Sequence, residues 1–67
     1  MKEVLKQLQK EYEETQALIN YHEERRDRTA RGSASWRCED SEVQYYKGEA
    51  NGIKKAIRAI ERAGAAI

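Results

Sequence analysis

Proline and phenylalanine are absent from this chain, and cysteine and histidine occur once each. No apolar run extends more than a few residues before a charge interrupts it. Each absence excludes something. Without proline, no residue forces a break in a helix. A single thiol, Cys38, cannot close an intrachain disulfide, and zinc-ligand spacing is missing. One lone cysteine suits a reducing compartment, where disulfides are rare. No stretch reads as a membrane span or signal peptide, so a soluble, cytoplasmic protein is expected. A chain of 67 residues with no such staple buries only about 60% of its unfolded surface and is marginal without a partner.

Charge is plentiful instead. Charged residues make up 37% of the chain, yet the net charge is only +1, which argues against a disordered polyelectrolyte. The apolar residues also keep time. Leu5, Leu8, Tyr12, Thr15, Ile19, His22, Arg26 and Thr29 recur at alternating spacings of three and four, a heptad seam set among good helix formers. This predicts a first helix over about residues 2–31, with Gly32 where a left-handed cap would fall. Residues 32–40 have no helical period and carry turn formers, so they read as a loop. Ser41 followed by Gln44 fits a capping box that opens a second helix over about residues 41–64, with Ser35 as the rival start. The second seam is Val43, Tyr46, Ala50, Ile53, Ile57, Ile60, Gly64 and Ile67.

Folding the chain about residue 36 lays one seam on the other. It pairs Leu5 with Ile67, Leu8 with Gly64, Tyr12 with Ile60 and Thr15 with Ile57. Nearer the turn, Ile19 meets Ile53, His22 meets Ala50, Arg26 meets Tyr46 and Thr29 meets Val43. The charges agree. Residues 1–24 hold three Lys against six Glu, a net −3, and residues 53–67 sum to +3. Residues 25–38 sum to +4 and residues 39–52 to −3. The expected fold is therefore all-α, an antiparallel two-helix hairpin of coiled-coil type forming a single domain over residues 1–67.

One hairpin cannot bury all of the second helix. Gly52, Ala56, Ala59, Ala63 and Ala66 flank its isoleucine seam and widen the apolar arc to roughly 160°. Oligomerisation into a helical bundle, most simply a two-fold dimer making four helices, would cover it. Gly48 and Gly52 each cost a helix about 1 kcal/mol relative to Ala, which suggests a close approach by another backbone.

The densest chemical feature is the hairpin tip. Arg25, Arg26, Arg28, Arg31 and Arg37 fall within thirteen positions, and Trp36, Tyr45 and Tyr46 are expected nearby. Guanidinium forks bind phosphate bidentately and stack on bases or aromatic rings, so these eight residues are candidate ligand-binding residues. The competing reading is structural: Glu23, Glu24 and Asp27 can pair with the arginines on a solvated face, and Arg26 can stack on Tyr46. Lys54, Lys55, Arg58 and Arg62 form a second basic face, explained by pairing with the acidic N-terminal half. His22 at a seam position reads as packing, and Cys38 as an incidental loop thiol. A repeated Glu-x-x-His pattern is missing, and no set of catalytic residues converges. Neither enzyme activity nor a metal or cofactor is expected.

The run Tyr45-Tyr46-Lys47-Gly48-Glu49-Ala50-Asn51-Gly52-Ile53-Lys54-Lys55-Ala56-Ile57-Arg58-Ala59-Ile60 resembles the second helix of small phage-encoded helical-hairpin proteins. These are the "sponges" of anti-CBASS and anti-Thoeris counter-defence. That resemblance implies an oligomer that sequesters a cyclic nucleotide or related immune signal in the host cytoplasm without degrading it. No ligand residue carries over by motif. A small inhibitor or adaptor that presents a charged helical face to a host protein is the alternative. A nucleic-acid binder ranks third, because a net charge of +1 with acidic patches suits a long polyanion poorly.

Overall fold

The computed structural model describes residues 2–65. Two helices, α1 (Lys2–Asp27) and α2 (Ala34–Ala65), pack against each other as a hairpin, and no strand occurs among the described residues. The molecule is a narrow rod with extents of 52 × 15 × 11 Å. A helix of 32 residues is about 48 Å long at 1.5 Å per residue, so α2 alone sets its length.

The helix bounds differ from those read in the sequence. α1 stops at Asp27 rather than near Arg31, α2 begins at Ala34 rather than Ser41, and the connection is 28–33 rather than 32–40. Local hydrogen bonding accounts for each change. At the end of α1 the Thr29 N–H donates to the Arg26 carbonyl (3.0 Å), which tightens the last turn, while Thr29 Oγ1 donates to the Arg25 carbonyl (2.8 Å). A side-chain hydroxyl thus takes an acceptor that a further helical turn would have used. The Ser33 N–H then donates to the Ala30 carbonyl (3.1 Å) across a β-turn, with Gly32 at φ +85° in its third position. A turn with positive φ at that position favours glycine, so Gly32 serves the turn rather than capping α1 directly.

Ser33, and neither Ser35 nor Ser41, opens α2. Its Oγ accepts the Trp36 N–H (3.1 Å), and its carbonyl accepts the Arg37 N–H (3.0 Å) as the first helical bond. The segment from Ala34 to Asp40, read as loop, is helix.

Both seams face inward as expected. Ile19 (2% exposed), Val43 (0%) and Ala50 form the buried apolar core with Thr15 beside them, and Tyr12 and Tyr46 pack against it. Leu5, Leu8, His22, Arg26, Ile53, Ile57 and Ile60 are half-buried, whereas Gly64 is exposed. Ile67 and Ala66 lie outside the described residues.

The register is different. His22 meets Glu39 and Tyr46 instead of Ala50, and Arg26 meets Asp40 and Trp36 instead of Tyr46. Ile19 packs in one cluster with Val43 and Ala50. The shift is close to one heptad toward the N-terminus of α2. A slide of about seven residues returns a seam to the same side of its helix, so periodicity cannot detect it. Turn position decides it, and the turn lies nearer residue 30 than residue 36.

Nothing lies within 4 Å of where a Cβ would sit on Gly48 or Gly52, so within the hairpin no backbone approaches either one. Gly48→Ala should therefore stabilise the fold by about 1 kcal/mol through helix propensity alone. Ile19→Ala should cost about 2–4 kcal/mol, a large share of the stability of so small a core. Urea unfolding followed by circular dichroism at 222 nm checks both, with the midpoints moving in opposite directions.

Candidate functional site at the hairpin tip

The last turn of α1 and the first turns of α2 bring basic and acidic side chains together beside the turn. Arg25 and Arg26 sit in the last turn of α1, where cations complement the carbonyl end of the helix dipole. The shortened loop brings Glu39 and Asp40 of α2 opposite them. Arg26 is the more enclosed of the two. It donates to Asp40 Oδ1 at 2.8 Å, lies 3.8 Å from Glu23, and stands 5.9 Å from the centroid of the Trp36 ring. Arg25 donates from Nε to Glu39 Oε1 at 3.0 Å and to the Tyr21 hydroxyl at 2.8 Å.

His22 completes this network. Its Nδ1 lies 2.7 Å from Glu39 Oε2, and with Glu39 ionised that nitrogen is the donor. The ring is stacked on Tyr46 at 5.7 Å with an interplanar angle of 14°, and Tyr21 meets it edge-on at 5.2 Å. Tyr45 in turn meets Tyr46 edge-on at 5.2 Å and is itself largely exposed. The expected stack of Arg26 on Tyr46 is therefore replaced by two others: Arg26 on Trp36, and His22 on Tyr46.

Hydrogen bonds from His22 and then Arg25 hold the Glu39 carboxyl below the usual carboxylate range, against an opposing effect of burial. Arg25 is pushed up by its bonds to Tyr21 and Glu39, and Arg26 chiefly by its bond to Asp40. Both charges are thus locked on and partly neutralised by carboxylates.

The eight candidate residues divide accordingly. Arg25 is joined through Glu39 and His22 to Tyr46 and Tyr45, while Arg26 forms a separate group with Asp40 and Trp36. Arg28 lines a groove of about 550 Å³ with Arg25, Thr29, Ala34, Ser35, Cys38 and Glu39. Arg31 and Arg37 are exposed. Cys38 is an exposed thiol on α2, not on the loop. A second groove of about 240 Å³ opens on the opposite side of the hairpin, with Gln16, Glu23, Lys47, Asn51 and Lys54 along it.

No match to this chain is found among protein-family models, curated proteins or solved structures. The residues themselves carry the functional reading. The sequence places His22 at the start of the tip run but only as a packing residue, and it does not point to Tyr21, Glu39 or Asp40 as members of the tip. The usable signal was the acidic block beginning at Glu39, whose first two members lie opposite the only seam positions of α1 that carry His and Arg.

A carboxyl whose folded-state pKa lies below its unfolded value of about 4.3 stabilises the fold above that pH and ceases to do so as pH falls through the folded value. Glu39→Gln should therefore lower the melting temperature at pH 7 and shrink the difference between pH 7 and pH 3. Parallel thermal melts of the two proteins measure this. Identical pH dependence in both would show that the Glu39 cluster contributes nothing to stability.

Proposed function

We propose that this protein acts by stoichiometric binding rather than catalysis, as a helical hairpin that assembles with copies of itself. The observation that carries this reading is the thinness of its core. Among the described residues only Ile19, Val43 and Ala50 are buried apolar residues, while Leu5, Leu8, Ile53, Ile57 and Ile60 toward the open end of the hairpin remain half-covered. Isolated helices gain most of their stability from packing an amphipathic face, and one partner helix covers too little of these two.

The ligand we propose is a phosphorylated small molecule of the cyclic-nucleotide type, taken up and held unchanged, as in the phage counter-defence sponges that the sequence resembles. Arg28 and the groove it lines support this reading, and Arg31 and Arg37 are further exposed guanidinium groups of the tip region. Arg25 and Arg26 are already engaged by Glu39 and Asp40, so their part is to shape the tip, and phosphate contact falls to the other three. A guanidinium fork suits that task because it offers parallel N–H donors to an anion.

A second reading is a small inhibitor or adaptor that docks on a host protein. The locked ion pairs of the tip favour it, since an ordered, alternating charge surface steers and orients a protein partner. Nucleic-acid binding ranks behind both. Among the described residues, no helix is long and apolar enough to cross a membrane.

Native mass spectrometry of protein purified from cells that make cyclic nucleotides tests the proposal. It should reveal a discrete oligomer carrying an added mass of several hundred daltons, on the order of one nucleotide-type anion held by guanidinium forks. The ligand should be released intact on denaturation, and Arg28→Ala should abolish the added mass. An oligomer without ligand would transfer the reading to a protein partner, and a monomer that turns substrate over would overturn it.

A further inference from the structure

The tip groove runs on past Arg25 and Cys38 toward the middle of the hairpin. Along α1 the next side chain is Tyr21, whose hydroxyl accepts from Arg25 at 2.8 Å and whose ring lies 5.5 Å from that guanidinium. Along α2, Glu42 follows Cys38 by four residues and Tyr45 follows it by seven, so both share its flank of the helix. Tyr21 and Tyr45 each precede a ring of the stacked pair His22 and Tyr46 by one residue. In antiparallel helices that step leads to the same side of the hairpin. The two tyrosines are 52% and 66% exposed, and edge contacts of 5.2 Å, to His22 and to Tyr46, hold each ring against the seam.

Charge is ordered along this line. Arg28 stands at the tip end and enters no ion pair among the described residues. Arg25 and Glu39 come next and neutralise each other. Glu42 follows, beside the tyrosines, and it too is outside every ion pair among the described residues. Farther from the tip, Glu14 before Thr15 and Glu49 before Ala50 lie on the same side by the same one-residue step. Cys38 and Tyr45 are about 10 Å apart at 1.5 Å per residue, the reach of one nucleotide. The line therefore suits a ligand that is anionic at one end and carries a flat, donor-bearing ring at the other. Glu14 and Glu49 would repel further phosphates, so a single nucleotide unit fits here and a strand does not.

We propose that this extended groove reads the base of the ligand, and that the base is guanine. The phosphate lies at Arg28, the ring stacks on Tyr45, and the Glu42 carboxylate accepts from guanine N1–H and the 2-amino group. This inference rests on the phosphorylated ligand proposed above and adds the identity of its base.

The choice of base follows from what a carboxylate can do. When ionised it only accepts, through two oxygens side by side. Guanine offers two adjacent donors to match them. Adenine and cytosine set one amino donor beside a ring nitrogen acceptor, which would face the carboxylate lone pair to lone pair. Uracil and thymine offer a single N–H between two carbonyl oxygens. Every base has a π-face, so Tyr45 supplies affinity without choosing, and the choice falls to Glu42. Tyr45 is already held by Tyr46, which leaves it little rotamer freedom to lose on binding.

Isothermal titration of the protein with cyclic diguanylate and cyclic diadenylate, at one ionic strength, tests the assignment. Cyclic diguanylate should bind about tenfold tighter or more, the discrimination a bidentate base contact provides. Glu42→Gln should erase that preference by weakening cyclic diguanylate alone, because its amide N–H₂ meets a guanine donor. Tyr45→Ala should weaken both ligands. Both side chains are exposed, so the variants keep the helical hairpin, which circular dichroism verifies. Equal affinity for the two ligands, or a preference unchanged in Glu42→Gln, overturns the base assignment and leaves sequestration intact. Binding of neither overturns it as well, and the native mass measurement then decides the broader reading on its own.

Discussion

Two helices laid side by side share one line of contact, and everything in this hairpin is organised along that line. At its middle the line is apolar and dry, with Ile19, Val43 and Ala50 closed over by Tyr12 and Tyr46. Toward the tip it turns polar, and there the packing is kept only because each polar group has a partner. His22 and Arg25 share Glu39, and Arg26 takes Asp40. An unpartnered group at those positions would lose its hydration for nothing in return. Toward the open end the line is apolar but half-exposed. The three segments therefore do different work: the middle holds the fold, the tip fixes the register, and the open end leaves its apolar residues half-covered.

Register is where the polar segment matters most. A heptad seam tolerates a slide of one heptad with little change in its apolar pairs, because leucine and isoleucine exchange places freely. A slide that moved Arg26 away from Asp40 would strand both charges, so the ion pairs select one alignment among several that packing alone would allow. Buried or half-buried polar groups in coiled coils are best attested in this role.

The seams, the hairpin and the opposed charge blocks were legible in the sequence because they rest on periodicity and sign, which survive without coordinates. The turn was not. Ser33 to Asp40 combines small, hydroxylic and charged residues with no apolar period, and that composition favours loops in the absence of other information. In the folded chain Trp36, Glu39, Asp40 and Val43 do follow the seam, with Glu39 and Asp40 occupying it as the partners of His22 and Arg26. A seam on α2 restricted to apolar residues misses these polar partners, and the register it predicts is off by about a heptad. At the candidate site, the grouping of arginines with Trp36 was legible, while their division into paired and exposed members was not. That division depends on which carboxylates arrive opposite them, and so on the turn.

On the proposed self-association, stability depends on how much of the protein is present. Thermal unfolding followed by circular dichroism across a hundredfold range of protein concentration tests this directly. Folding coupled to association makes the midpoint rise with concentration, because the folded state alone gains from mass action. The account predicts that rise; a midpoint independent of concentration would show that the hairpin folds as a self-sufficient monomer.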